Sequence, residues 1–141
     1  MILFCDTSAL VKLYVREEAT DTMVEQAAAS EVVAVCRISW VETMSALARR
    51  SREQPADALA IAQARKRVVA DWPHYLTVEV TQQLVELAGE YADAFALRAY
   101  DSVQLAAAQT VNQELPGEVS FACYDERLLK AARVLGIAAV S

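Results

Sequence analysis

The sequence predicts an α/β fold, a three-layer α/β/α sandwich built on a mostly parallel sheet. Short runs of apolar and β-branched residues alternate with longer helix-forming stretches along the whole chain, which is typical of this fold class. These runs are apolar at almost every position, as expected for strands that are covered on both faces. Only three Gly and three Pro are present, so long linkers are not expected. The 141 residues are therefore predicted to form one domain, 1–141.

Five strands are predicted, over residues 1–5, 32–36, 76–80, 119–123 and 137–140. The predicted helices cover residues 7–15, 20–29, 39–52, 55–72, 81–91, 101–113 and 125–135. Most of these helices begin at a hydroxyl or acidic residue, or at Pro55, which are common at helix starts. Ser39 and Glu42 are spaced as a capping box, in which each side chain caps the backbone near the other.

The composition is that of an ordinary globular protein, with 55% hydrophobic and 23% charged residues. No apolar stretch reaches the ~20 residues of a membrane span, and no signal peptide pattern begins the chain, so a cytoplasmic protein is expected. Cys5, Cys36 and Cys123 lie inside apolar runs and are expected to be buried thiols in a reducing compartment. The single histidine, His74, argues against a zinc site.

The net charge of −6 argues against a protein that grips nucleic acid through a broad basic surface. It does not argue against a nuclease, because bound cations can neutralise an acidic pocket. The charge restricts the kind of nucleic-acid site that we expect, and does not exclude one.

Four acidic residues stand at the edges of predicted buried elements. Asp6 and Asp125 directly follow the first and fourth strands, Glu42 lies in the first turn of a helix, and Asp101 begins an otherwise apolar helix. A carboxylate beside core-forming sequence is costly to bury unless a cation meets it. Ligands of parallel α/β sheets bind beyond the carboxyl ends of the strands. We therefore expect the four acids to share one pocket that holds a metal ion.

Each of these acids also has a purely structural explanation. Asp101 and Asp125 could cap a helix or favour its macrodipole, and Glu42 could serve only the capping box. Asp6 is the hardest to explain in this way, since it follows four apolar residues directly. The four positions taken together with the predicted topology favour the shared pocket.

The ligand types in this pocket indicate its chemistry. Carboxylate oxygens without His or Cys favour Mg²⁺ or Mn²⁺. A metal held by acids suits phosphodiester hydrolysis, because it lowers the pKa of a bound water and neutralises charge on the phosphate. Ser8 could add a hydroxyl to the pocket or simply start a helix, and Arg98 could touch a phosphate or balance the acidic field. No phosphate-binding glycine loop or G-x-S-x-G motif occurs.

Four short motifs surround the acids. They are Asp-Thr-Ser-Ala-Leu at 6–10, Ser-Trp-Val-Glu at 39–42, Arg-Ala-Tyr-Asp-Ser-Val-Gln at 98–104, and Tyr-Asp-Glu-Arg-Leu at 124–128, followed by paired alanines at 131–132. In this order they resemble the PIN domain and, more narrowly, the VapC toxins of bacterial type II toxin–antitoxin pairs. Each motif alone is weak, but the resemblance covers the whole chain.

The resemblance implies a Mg²⁺- or Mn²⁺-dependent endoribonuclease with RNA as substrate. It implies that Asp6 and Asp101 bind the metal directly, and that Glu42 and Asp125 complete the catalytic cluster as a further ligand or a water-holding group. It also implies a homodimer and a cognate VapB-like antitoxin, whose tail covers the pocket. An Arg or Lys of that tail can replace the cation.

Two positions depart from the family pattern. Cys123 stands where Thr or Ser is usual, which removes a hydroxyl beside Asp125, and Gln104 stands where His is common. We expect the second departure to matter little, since that His is not one of the four acids.

Two other functions stay open. A receiver-like phosphoacceptor domain also uses strand-end acids and Mg²⁺, but it needs two adjacent acids after the first strand and a Lys on a late strand, and the sequence has neither. A non-catalytic PIN-like module that only binds a partner is the other alternative. The intact acids argue against it, and Cys123 favours it.

Overall fold

The computed structural model describes residues 1–141 and contains five strands and seven α-helices. The elements are β1 (Ile2–Cys5), α1 (Thr7–Val11), α2 (Thr20–Ala29), β2 (Val32–Cys36), α3 (Ser39–Glu53), α4 (Ala58–Asp71), β3 (Leu76–Val78), α5 (Gln82–Phe95), α6 (Ala99–Glu114), β4 (Val119–Ala122), α7 (Glu126–Val134) and β5 (Ala138–Val140). All five predicted strands and all seven predicted helices are present in the predicted order.

The five strands form one sheet in the order β3-β2-β1-β4-β5, and every neighbouring pair is parallel. From β1 the chain first builds the sheet outward through β2 and β3, and then crosses back to place β4 on the other side of β1. The connections therefore reverse direction between β1 and β4, which is where parallel α/β sheets bind ligands. Asp6 and Asp125 follow these two strands, so the topology places both at this switch point.

Helices cover both faces of the sheet, which confirms the predicted three-layer sandwich. Ile2 and Phe4 of β1 point to one face and pack with α5, α6 and α7. Leu3 and Cys5 point to the other face and pack with α1, α3 and α4. The ring of Phe4 lies 5.7 Å from that of Phe121 on β4, and burying each ring contributes roughly 2–3 kcal/mol. The central strand is therefore held by packing on two sides.

Several helix ends differ from the prediction. The predicted helix over 55–72 is α-helical only from Ala58 to Asp71, with short 3₁₀ turns at Pro55–Asp57 and Trp72–His74. Both turns contain a proline, which cannot donate a helical hydrogen bond and restricts the residue before it. The helix α5 runs one turn further than predicted, to Phe95, whose ring lies 5.8 Å from that of Tyr91.

The connection between α5 and α6 is a tight turn. Ala96 ends α5 in the left-handed conformation, with φ 53° and ψ 42°, and α6 begins three residues later at Ala99. The two helices then pack along each other. This turn sets the direction of the first turn of α6, which carries Asp101.

All three cysteines are buried and unpaired, as predicted. None of the helices combines the length and the apolar character that crossing a membrane requires.

Candidate active site

Asp6 lies at the carboxyl end of β1 and is only 4% exposed. Its Oδ1 accepts hydrogen bonds from the Ala9 backbone N–H at 2.9 Å and from the Ser8 hydroxyl at 2.7 Å, so Asp6 does cap α1. Burial nevertheless raises the pKa of Asp6 to about 6, and the Asp101 carboxylate adds a smaller rise. A cation near Asp6 would remove this cost.

Asp101 lies in the first turn of α6 and is partly buried, with 26% of its side chain exposed. It is not the N-cap of α6, which is Arg98. Its Oδ2 accepts a hydrogen bond from Arg98 Nε at 3.3 Å. Because its charge acts on Asp6, the two carboxylates lie close enough to interact at the switch point. The structure thus brings together the two residues that the resemblance implies as direct metal ligands.

Ser39 and Glu42 do not form the predicted capping box, since α3 begins without any side-chain cap. The Thr7 hydroxyl donates to Glu42 Oε1 at 2.7 Å. The Gln104 amide donates to the same oxygen at 3.0 Å and to Ser39 Oγ at 2.9 Å. The capping-box prediction was wrong because partners from α1 and α6 compete for these groups. Glu42 is therefore tied to the residue that follows Asp6.

Asp125 caps α7, because its Oδ1 accepts a hydrogen bond from the Leu128 backbone N–H at 2.9 Å. The same carboxylate lines an open cleft of about 720 Å³ together with Asp101. Both explanations of this residue are thus compatible with the structure. Asp125 serves α7 and faces the same space as Asp101.

Cys123 lies beside two of the acids. Its sulfur accepts a hydrogen bond from the Asp125 backbone N–H at 3.3 Å and its thiol donates to the Asp125 carbonyl oxygen at 3.7 Å. Burial, followed by the charge of Asp6, raises the pKa of Cys123, so the group stays a neutral donor. The thiol therefore replaces the family's hydroxyl as a hydrogen-bonding group at this position.

Ser8 connects the ends of β1 and β4. Besides donating to Asp6 Oδ1, its hydroxyl oxygen accepts a hydrogen bond from the Tyr124 backbone N–H at 3.3 Å. Ser8 lies in the first turn of α1, and its hydroxyl also links the Asp6 carboxylate to the end of β4.

The family of the chain follows from its similarity to known proteins. Residues 3–134 match the family model of the PIN domain. The chain belongs to the PIN domain family. Ribonuclease VapC47 of Mycobacterium tuberculosis (strain CDC 1551 / Oshkosh) is 31% identical, over 99% of this chain and 96% of that protein. Ribonuclease VapC49 of Mycobacterium tuberculosis (strain ATCC 25618 / H37Rv) is 30% identical, over 96% of this chain and 92% of that protein.

Solved structures share the fold of this PIN domain. PAE2754 from Pyrobaculum aerophilum has a TM-score of 0.70 and 19% identity, over 99% of this chain and 90% of that one. VapBC2 from Rickettsia felis, bound to a DNA fragment from its promoter, has a TM-score of 0.67 and 12% identity, over 99% and 98% of the two chains. At these identities the likeness is one of fold.

The four acids of this PIN domain are not gathered into a single cluster of ligands. No three His, Cys, Asp or Glu side chains lie together in a way that could hold a metal ion. Asp6 and Asp101 interact, Glu42 belongs to the hydrogen-bonded group with Thr7 and Gln104, and Asp125 caps α7. The Asp6–Asp101 pair fits Mg²⁺, which is commonly bound through one or two carboxylates and keeps several waters.

The sequence analysis missed two residues of this site. Thr7 was treated only as a helix start, and Gln104 was expected to matter little. In the structure Gln104 is 2% exposed and hydrogen-bonds directly to Glu42. A polar amide inside the apolar run of α6 was the available signal.

Proposed function

We propose that this PIN domain is a Mg²⁺- or Mn²⁺-dependent endoribonuclease and the toxin of a type II toxin–antitoxin pair. One observation carries the proposal: a buried aspartate with a raised pKa interacts with a second aspartate at the switch point of the sheet. Full-length relatives that are named ribonucleases support it. When bound, the metal supplies a water of lowered pKa and neutralises charge on the phosphate.

The residues of this chain have separate tasks in the proposed site. Asp6 and Asp101 hold the cation, and Ser8 together with the Ala9 N–H fixes the orientation of the Asp6 carboxylate. Thr7 and Gln104 both donate to Glu42 Oε1. These hydrogen bonds fix the carboxylate and leave its other oxygen available to orient a water. Asp125 faces the same cleft as Asp101 and would hold a water there.

The test is cleavage of total cellular RNA by purified protein in Mg²⁺ or Mn²⁺. Asp6→Asn and Asp101→Asn each remove one charge from the pair, so both variants should reduce cleavage to background. Asp6→Asn keeps the cap of α1, because Asn is as good an N-cap as Asp. The matched control is Asp93→Asn, since Asp93 is exposed on α5 and should leave the rate unchanged.

Two results would contradict the proposal. One is an Asp101→Asn protein that cuts RNA at the wild-type rate. The other is wild-type cleavage that persists in excess chelator. A wild-type protein that binds partners but never cuts RNA would favour the non-catalytic module instead.

A second groove beside Glu42 supports an antitoxin as the partner. The groove has a volume of about 590 Å³. Five of its twelve lining residues are hydrophobic, and the others are Thr7, Ser8, Lys12, Glu17, Glu42, Ser45 and Arg49. Two of the hydrophobic residues, Val41 and Tyr100, are 60% and 61% exposed. Exposed apolar side chains next to carboxylates suit a peptide that carries both apolar residues and an Arg or Lys.

The receiver-like alternative does not agree with the sheet. Receiver domains have the strand order 2-1-3-4-5, and this sheet has the order β3-β2-β1-β4-β5. A homodimer and a cytoplasmic location, where a toxin of this kind would meet its RNA, stay predictions.

A further inference from the structure

The cleft that contains Asp101 and Asp125 continues over the exposed side of α7. Its remaining lining is Glu126, one hydrophobic residue, Leu97, and three cations, Arg98, Arg127 and Lys130. The cleft therefore carries three cations and three acids, and it lies next to the proposed cleavage site.

Two of these cations have no acidic partner in the structure. Arg98 is paired with Asp101 at 3.3 Å, whereas Arg127 and Lys130 take part in none of the ion pairs of the chain. Both are exposed. Their charges are therefore free to meet an anionic ligand.

The fold holds these two cations on one face. Arg127 and Lys130 are three positions apart on α7, so they lie on the same side of the helix. The opposite side of α7 is fixed in the core by four buried residues, Leu128, Leu129, Ala131 and Ala132. The helix therefore cannot rotate to turn the two cations away from the cleft without unpacking the core.

Arg127 is also anchored from a second element. Its Nη1 donates to the Ala96 carbonyl oxygen at 3.1 Å, at the left-handed turn that ends α5. A guanidinium has five N–H donors, so most of them stay available after this contact. The turn thus positions the guanidinium and leaves it able to bind an oxyanion through two hydrogen bonds.

We infer that Arg98, Arg127 and Lys130 form a phosphate-binding strip for the RNA strand next to the bond that is cleaved at Asp6 and Asp101. The inference rests on the proposed function. It adds the path of the bound RNA strand, which runs from the Asp6–Asp101 pair along α7. The polar lining favours a nucleic-acid backbone over a protein segment, because protein interfaces depend on buried apolar and aromatic anchors. Those anchors lie in the other groove, at Val41 and Tyr100.

The experiment measures binding separately from cleavage. A labelled single-stranded RNA of mixed sequence is titrated against Asp6→Asn protein, which carries an intact strip but does not cut. Arg127→Gln and Lys130→Gln are then added singly and together. Each lost phosphate contact should reduce the slope of log K against log[salt] by about 0.7, and the double variant by about twice that amount. The affinity should fall with each substitution.

Arg65→Gln and Lys66→Gln are the matched controls. Each removes one exposed cation from α4, which packs on the opposite face of the sheet, so affinity and salt slope should stay unchanged. Lys130→Gln is the more decisive variant, because Lys130 makes no hydrogen bond or ion pair that its loss could disturb. Thermal unfolding verifies that each variant is folded.

The results separate this inference from the proposed function. Equal affinities and slopes for the strip variants and the α4 controls would overturn the strip, even if the wild-type protein cuts RNA. Strip variants that lose binding to polyglutamate but keep binding to RNA would overturn it in favour of an acidic protein segment. Loss of cleavage in the wild-type protein, by contrast, bears on the proposed function alone.

Discussion

The amide of Gln104 holds Glu42 in place from the second turn of α6. Its Nε2 donates to Glu42 Oε1 and Ser39 Oγ, while its own Oε1 is buried without a protein partner. Leaving a buried acceptor unpaired costs about 1–3 kcal/mol. Because this cost lowers the stability of the fold, the role of Gln104 is better explained by its hydrogen bond to Glu42, which orients the Glu42 carboxylate. Gln104 is therefore a positioning residue for the proposed site.

Replacing Gln104 tests this role. Gln104→Met keeps the size of the side chain but removes both donors, so the rate of RNA cleavage should fall by about tenfold, the effect typical of lost supporting contacts. The fall should be in kcat and not in KM, because Glu42 orients water and does not hold the RNA. Gln104→His, which restores one donor, should recover part of the rate.

A double-mutant cycle supplies the control. If Gln104 acts through Glu42, the effects of Gln104→Met and Glu42→Gln should not add. Additive losses, or a Gln104→Met protein with unchanged kcat, would show that the hydrogen bond does not matter for the reaction.

At the scale of elements, the turn between α5 and α6 carries a conformational cost. Ala96 has a φ of 53°, and the left-handed conformation costs a residue with a Cβ roughly 1–2 kcal/mol. Glycine adopts this conformation freely and is the usual residue after a helix. The cost is tolerated here because the turn directs α6 and presents the Ala96 carbonyl to Arg127.

Ala96→Gly should therefore stabilise the protein. Part of the gain is lost to the greater freedom of glycine in the unfolded chain, so the net rise in unfolding free energy should be about 0.5–1 kcal/mol. Ala62→Gly is the matched control, since Ala62 is exposed inside α4 and the same change there should cost about 1 kcal/mol. Urea unfolding of both variants gives the sign of each change in unfolding free energy. A destabilised Ala96→Gly protein would contradict the argument.

At the scale of the whole molecule, the buried Asp6 makes folding stability depend on pH. Burial raises its pKa to about 6 in the folded protein, whereas an unfolded Asp has a pKa of about 3.9. Between these values the folded state binds a proton that the unfolded state does not. Stability should therefore fall as pH rises from about 4 to about 6, and the loss is fully present at pH 7.

Asp6→Asn should remove this loss. In metal-free buffer at pH 7 the variant should be more stable than the wild type by about 3 kcal/mol, because each pKa unit corresponds to about 1.36 kcal/mol. Its stability should also change less between pH 4 and pH 6. Urea unfolding across this range measures both. Equal stabilities of the two proteins at pH 7 would show that burial of the ionised Asp6 carboxylate does not lower the stability of the folded protein.

Metal should offset this loss of stability in the wild type. A cation that binds the folded state stabilises it by mass action, so Mg²⁺ should raise the melting temperature of the wild type more than that of Asp6→Asn. The stabilised but inactive variant would then show that the site is kept at a cost to the fold.

The sequence alone determined the architecture and the approximate place of the site. The alternation of fully apolar runs with helix-forming stretches is a local pattern, and it predicted five strands that are covered on both faces. That Asp6 and Asp125 each directly follow a strand is also visible in the local sequence. Because parallel strands end at the same edge of a sheet, the fold class predicted that both residues lie at that edge. Helix ends were less accurate, because prolines at positions 55 and 73 and the packing of Tyr91 on Phe95 altered them.

The partners of each side chain, by contrast, follow from contacts between elements that are distant in the sequence. Ser39 and Glu42 match a capping box in sequence, yet Glu42 bonds to Thr7 and Gln104, which are 35 and 62 positions away. The cations of α7 line the same cleft as Asp101, although they lie more than twenty positions further along the chain. Hydrogen bonds and charges act over a few ångströms whatever the separation along the chain, so contacts between distant elements decided what the local pattern left open.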